Sequence, residues 1–358
     1  MRKHNGTIAL WKFIYCLMII ALHVGVQKPF NSMNVIRFSG GSIGVEFFFI
    51  VSGYLLGKKA LSIENYQDLG LETKKYMIKR VKNLIGMTTI VFIFSYFFFT
   101  AVNEYAIYNK VNFIWDILLL RNAGLEYRTL IYVGWYTSVL MIASLCLYPL
   151  ILKYKNKFTY IIGPLIVIFV GSYIAYHWNG SLAWDGEYYT KCFLRGFFEM
   201  SLGACLVPLA EKMKKMDFTM LGTYLLTLIE TVGFVSILFL ANTANSHKKY
   251  DFVMLLILSI CVTIAFSEKS LTSKFCSNKM IYWLEKLFFP MYLSQGLIIS
   301  VAAHVLDFNA ISYYSVLGIV ILGSILFSIV CLGIFESGKK YIPRINKLFV
   351  REVRENAK

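Results

Sequence analysis

Charge is what this sequence has least of. Only 16% of its 358 residues are Asp, Glu, Lys or Arg, while 58% are hydrophobic. A soluble domain of this length needs far more polar surface, so a water-soluble globular protein is excluded. Proline is scarce, with 6 in the chain, and no Pro- or Ser-rich stretch marks a linker to a second domain. No internal repeat is apparent. The 7 cysteines show no C-x-x-C or C-x-x-H spacing. Cys16, Cys146, Cys205, Cys261 and Cys331 lie within apolar runs and read as packing residues, so neither a disulfide framework nor a metal site is expected. No G-x-S-x-G elbow is present to supply a serine nucleophile. The first apolar run follows a short basic start without a small-residue cleavage site, so no cleavable leader is expected.

What the sequence has instead is apolar runs. Ten stretches are long and continuous, at about 8–26, 42–57, 84–102, 131–152, 158–177, 193–210, 219–241, 252–267, 284–304 and 313–335. They are rich in Leu, Ile and Phe and do not alternate, which argues against a β-barrel. The segment 113–120 is apolar but too short to span, and reads as interfacial or re-entrant. Placing the N-terminus inside puts 25 of the 36 Lys and Arg in inside loops and 8 in outside loops. That asymmetry sets the orientation. The expected fold is therefore all-α: a polytopic integral membrane bundle of about ten transmembrane helices with N- and C-termini cytoplasmic. The formal charge of +16 is a topology signal spread over loops on one face, so no nucleic-acid partner is expected. Residues 1–335 form the expected membrane domain. Residues 336–358 form a basic cytoplasmic tail, expected along the inner membrane surface and too short for a catalytic domain.

Polar residues inside apolar runs are costly in lipid and point to function. His23 lies about three residues from the outer end of the first run. Glu46 lies within about one turn of the outer start of the second. At about 1.5 Å per residue the two side chains share a depth in the outer leaflet. Trp135, Tyr136 and Ser138 open the fourth run at the same level, Arg195 opens the sixth, and Glu199 lies one turn deeper. An aromatic belt is the other reading of Trp135 and Tyr136. A neutral imidazole can take a proton from a hydroxyl as it attacks an acyl carbon, and a carboxylate behind it fixes the tautomer. Direct transfer to an acceptor hydroxyl, or a transient acyl-histidine, fits better than an acyl-serine. On the inner side Lys79, Arg80 and Lys82 precede the third run. They read either as positive-inside bias or as a clamp for phosphate groups.

Four places resemble the family 3 membrane acyltransferases. The first is the run from Lys12-Phe13-Ile14 to Ala21-Leu22-His23. The second and most specific is Gly44-Val45-Glu46-Phe47-Phe48-Phe49-Ile50-Val51-Ser52-Gly53. The third is Trp135-Tyr136-Thr137-Ser138 running to Pro149. The fourth runs from Arg195 through Phe197-Phe198 to Gly203. Two places depart from the family pattern. Asn83 and Gly86 stand where the family has the second arginine of an Arg-x-x-Arg pair and a proline. Tyr292-Leu293-Ser294-Gln295 stands where it often has Tyr-Leu-x-His; Gln295 can hydrogen-bond but cannot act as a base.

The resemblance implies an integral membrane O-acyltransferase. It would move an acyl group, most often acetyl, from cytoplasmic acyl-CoA (acetyl-CoA) to a hydroxyl of a cell-envelope polysaccharide or its precursor at the plasma membrane. His23 would be the base or acyl carrier, with Glu46 orienting it. Arg80, helped by Lys79 and Lys82, would hold the CoA phosphates. Trp135, Tyr136 and Arg195 would line the acceptor side. Envelope-polysaccharide synthesis enzymes would be its partners in the bilayer. The alternative is a polysaccharide export or transport component, although transporters often carry internal repeats. A membrane scaffold is a third reading, and it leaves His23 and Glu46 unexplained.

Overall fold

The computed structural model of the chain describes residues 5–27, 37–102, 115, 117–120, 130–183, 189–242, 250–308 and 310–355, with 189 and 340–355 as backbone only. Among the described residues all regular structure is helical. The helices are α1 (Gly6–Gln27), α2 (Ile43–Leu61), α3 (Leu69–Ala101), α4 (Trp135–Tyr154), α5 (Gly163–His177), α6 (Tyr189–Lys215), α7 (Met220–Ala241), α8 (Asp251–Ser267), the short α9 (Thr272–Phe275), α10 (Lys279–Val305) and α11 (Tyr313–Glu355). Short 3₁₀ turns lead into α2 (Ser39–Ser42) and α4 (Tyr132–Gly134). Among the described residues nine helical segments are long and apolar enough to cross a membrane, and α8, at 17 residues, is a shorter apolar helix. These ten coincide with the ten expected spans. The chain is an all-α, multi-pass membrane protein.

Two boundaries differ from expectation. The third helix begins at Leu69, where Asp68 caps it by accepting from the Leu71 N–H at 2.5 Å. The basic stretch before residue 84 is therefore helical and faces the bundle or its rim turn by turn. The last helix runs from Tyr313 to Glu355 without a break, so 336–355 continues the final span. Its Lys, Arg, Glu and Leu are good helix formers. The segment 113–120 lies largely outside the described residues.

The bundle is organised around α2. Of its apolar window 83% is buried, against 22% for α7 and for α11, which present most of their surface outward. Its main neighbour is α6, and the two run parallel. Small residues permit this contact. Gly53 faces the backbone of Met200, and Gly203 faces the backbone of Ile50 and Tyr54, each so closely that a Cβ would overlap backbone atoms. Helices that cannot use the hydrophobic effect against lipid rely on such close approach. At one end Lys58 pairs with Glu211 at 2.6 Å. There Lys155 also donates to the carbonyls of Ala60 and Ile63, closing the last turn of α2.

Buried hydrogen bonds fix the outer ring to this centre. The Tyr15 hydroxyl donates to the Phe234 carbonyl at 3.0 Å, and the Tyr313 hydroxyl to the Ala21 carbonyl at 2.9 Å. The second bond ties α11 to α1 two residues before His23. The Thr272 hydroxyl donates to Glu230, and the Leu271 N–H to the Thr227 hydroxyl at 2.9 Å, which seats the α9 turn against α7.

Gly203→Val inserts a branched side chain against the α2 backbone, which cannot move aside. It is expected to cost at least about 1–3 kcal/mol and to lower the unfolding temperature in detergent. Gly333→Val is the control, because a Cβ there meets nothing within 4 Å. A thermal melt that is equal for the two variants would contradict the close-approach account.

Candidate functional site

His23 stands just before the last turn of α1. Its partner is Gln295 on α10, and their ring nitrogen and amide oxygen are 2.8 Å apart. The amide orientation is set by the backbone. Gln295 Nε2 donates to the Tyr292 carbonyl at 2.8 Å, so Oε1 turns to the imidazole. An amide oxygen only accepts, so Nδ1 of His23 carries the proton. Nε2 is then left with its lone pair, as a base requires. The Tyr132 ring packs edge-on to the imidazole, with centroids 4.9 Å apart. Gly296 makes room for it: a Cβ there would strike that ring.

His23, Tyr132, Trp135, Arg195 and Tyr292 line one cavity of about 510 Å³, with Gln27, Ser39 and Ser42 and apolar side chains such as Ile19, Leu22, Val45 and Val133 completing the wall. A larger groove of about 790 Å³ lies between α5, α6, α7 and α8. No ionisable side chain lines it, so it offers no acid–base chemistry. The His23 cavity does.

Glu46 does not orient His23, contrary to expectation. It is fully buried and pairs with Nη2 of Arg195 across the α2–α6 contact. Depth agreed, but direction did not: the α2–α6 packing that brings Gly53 to Met200 also turns Glu46 toward α6. Arg195 Nε lies 3.9 Å from Glu199, one turn further along α6, and the guanidinium sits over the Trp135 ring at 5.2 Å. Glu46, Arg195 and Glu199 are all fully buried. Glu46 Oε2, Arg195 Nε and Nη1, both Glu199 oxygens and the Ser138 hydroxyl have no hydrogen-bond partner among the described residues.

Trp135 and Arg195 line the His23 cavity, but Tyr136 does not. Adjacent helical residues point about 100° apart. The Tyr136 hydroxyl reaches Ser52 at 3.5 Å, and its ring packs on Phe48, Phe49 and Tyr292. It lies behind the cavity wall.

Arg80, Lys79 and Lys82 do not form one clamp. Arg80 turns into the bundle, where Nη1 donates to the Tyr76 hydroxyl at 2.5 Å. The Tyr76 ring stacks on Tyr148 of α4, with centroids 3.9 Å apart. Lys79 is exposed. Lys82, about 200° around the helix from Arg80, edges a separate groove with Lys74, floored by Met77, Ile78, Val81 and Leu145. Sequence reasoning also passed over Lys12 and Glu285, which pair at 2.7 Å between α1 and α10. Their signal was available, since both are charged residues at or within apolar runs.

The tautomer is directly measurable. Nitrogen-15 NMR of histidine-labelled protein, with the His23 signal assigned by its loss in His23→Asn, is expected to show Nδ1 protonated and Nε2 bare. Gln295→Leu removes the acceptor and is expected to give a mixture of tautomers. A single unchanged tautomer in that variant would remove Gln295 from this role.

An acyltransferase-domain family model matches residues 5–335. No match was found among curated proteins or among solved structures. The matched stretch runs from the first helix through the last span and contains all four places of resemblance, the histidine cavity and the buried Glu46–Arg195 pair, and so the chain belongs to the family 3 acyltransferases and is a membrane acyltransferase.

Proposed function

We propose that this acyltransferase takes an acyl group, acetyl in the first instance, from acyl-CoA at the cytoplasmic face. It delivers the group to a hydroxyl of a cell-envelope polysaccharide, or its lipid-linked precursor, at the outer face of the plasma membrane. The observation that carries this reading is the placement of His23: the histidine lines a cavity while its Nδ1 is held by the Gln295 amide, a contact that assigns the lone pair to Nε2. The asymmetry of Lys and Arg between loops supports placing that cavity toward the outer face.

On this reading the acceptor hydroxyl gives its proton to His23 Nε2 as its oxygen attacks the thioester carbon. The same nitrogen returns the proton to the departing CoA thiolate, so the histidine ends as it began. Arg80 takes the role of CoA phosphate ligand alone. It is the one member of the expected trio that faces the bundle interior, and a guanidinium suits a phosphate through paired N–H donors. Trp135 and Arg195 stand on the acceptor side with His23. Tyr136 belongs to the passage between the Arg80 region and the cavity.

The test uses cells carrying wild type, His23→Ala or no protein, with ester-linked acyl groups measured on isolated envelope polysaccharide. Ester is expected with wild type alone, with equal polymer at the surface in all three. Polymer missing from the surface in the His23→Ala cells would favour an export component instead. For the donor end, Arg80→Gln is expected to raise the acyl-CoA KM about tenfold, while Lys82→Gln leaves it unchanged. Equal effects of the two changes would restore a common clamp.

A further inference from the structure

We infer that Arg195 Nη1 receives the acyl carbonyl oxygen during transfer, which makes Arg195 a catalytic residue opposite His23 in the same cavity. This rests on the acyl-CoA reading above. The guanidinium is placed by three contacts: Nη2 on Glu46, Nε 3.9 Å from Glu199, too far for a hydrogen bond, and one face on Trp135. Nη1, like Nε, is buried without a hydrogen-bond partner among the described residues, and neither ion pair is made through Nη1. Arg195 lines the cavity that His23 also lines. A buried N–H with no acceptor is costly, and on a residue that lines a cavity it calls for an oxygen from the substrate.

Charge selects which oxygen. Two carboxylates, Glu46 and Glu199, lie against a single guanidinium, so the cluster has no positive charge to spare. A phosphate or carboxylate on the acceptor would meet no free cation here. A carbonyl oxygen suits it better, because it is neutral on binding and gains charge only as the tetrahedral adduct forms. Donors fixed in advance at the point where charge develops are the strongest single device for such reactions. As the acceptor oxygen bonds to the thioester carbon, the C=O π pair moves onto the carbonyl oxygen, at Arg195 Nη1. The hydroxyl proton goes to His23 Nε2. When that pair returns, the C–S bond breaks, and the thiolate takes the proton from His23.

The test compares two non-reacting probes on the full chain in detergent. One is the ketone isostere of acetyl-CoA, with CH₂ in place of sulfur; the other is S-ethyl-CoA, which lacks the carbonyl. Wild type is expected to bind the ketone about tenfold tighter. The paired variant Glu46→Gln with Arg195→Gln, which leaves no lone charge in that pair, is expected to bind S-ethyl-CoA as wild type does and to lose the preference. Arg195→Lys keeps a charge beside both glutamates but lacks the third corner, and it too should lose the preference. Variants that bind S-ethyl-CoA normally and still prefer the ketone would overturn the role of Arg195 and leave the donor reading intact. Wild type binding neither probe would overturn the donor reading, and this inference with it. One measurement needs no variant: the C=O stretch of the bound ketone should fall to lower frequency in wild type, and an unshifted band would overturn the inference.

Discussion

The Glu46–Arg195 pair constrains the rest of the structure. Two unit charges have been taken out of water into the most buried helix contact of the bundle. Their mutual attraction offsets the desolvation only when the geometry is held, and loss of either partner strands the other. The holding is done by Gly53 and Gly203, which bring the α2 and α6 backbones together further along the same interface. The glycine contact and the ion pair thus fix one register between two parallel helices. That register places Arg195 beside Trp135, and so sets one wall of the cavity. The other wall, His23 on α1, is set independently by Gln295 and by the Tyr313 bond to Ala21.

The site is built on helices rather than loops, which suits chemistry that needs fixed distances. Tyr136 and Tyr292, both buried, pack ring against ring, and Tyr292 lines the His23 cavity. On the proposed route an acyl group has to pass between two faces of the membrane without leaving a standing water channel. An aromatic barrier, with Ser52 as the one polar contact of the Tyr136 hydroxyl among the described residues, meets that need.

Much of this was legible in the sequence, for identifiable reasons. Ten apolar runs became ten helices because lipid leaves the backbone no alternative. His23 and Glu46 stood out because polar groups in apolar runs are rare. What failed was direction around the helix axis. Trp135 and Tyr136 are neighbours in sequence, yet one lines the cavity and the other lies behind it. Arg80 and Lys82 are two residues apart and face opposite sides of α3. The partner of His23 failed to show for another reason. Gln295 is 272 residues away, and nothing local in either segment records the contact. The apolar pattern did not mark the helix before residue 84 or the helix past residue 335, because both stretches are polar, although both are made of helix-forming residues.

An amide partner for His23 also bears on the choice between the two routes. If Nε2 attacked the thioester itself, the product would be an acyl-imidazolium, positively charged until Nδ1 gave up its proton. A carboxylate partner would stabilise that charge or take the proton. Gln295 Oε1 does neither, and the surrounding cavity is largely apolar, where a lone charge is costly. As a base, His23 carries positive charge only while the adduct beside it carries the matching negative charge, so the pair is neutral throughout. Glu46 pairs with Arg195, and Glu199 lies 3.9 Å from the same guanidinium. A neutral amide behind the imidazole and a compensated guanidinium on the facing wall therefore favour direct transfer over an acyl-histidine. In that route the site has no net charge to gain and none to lose.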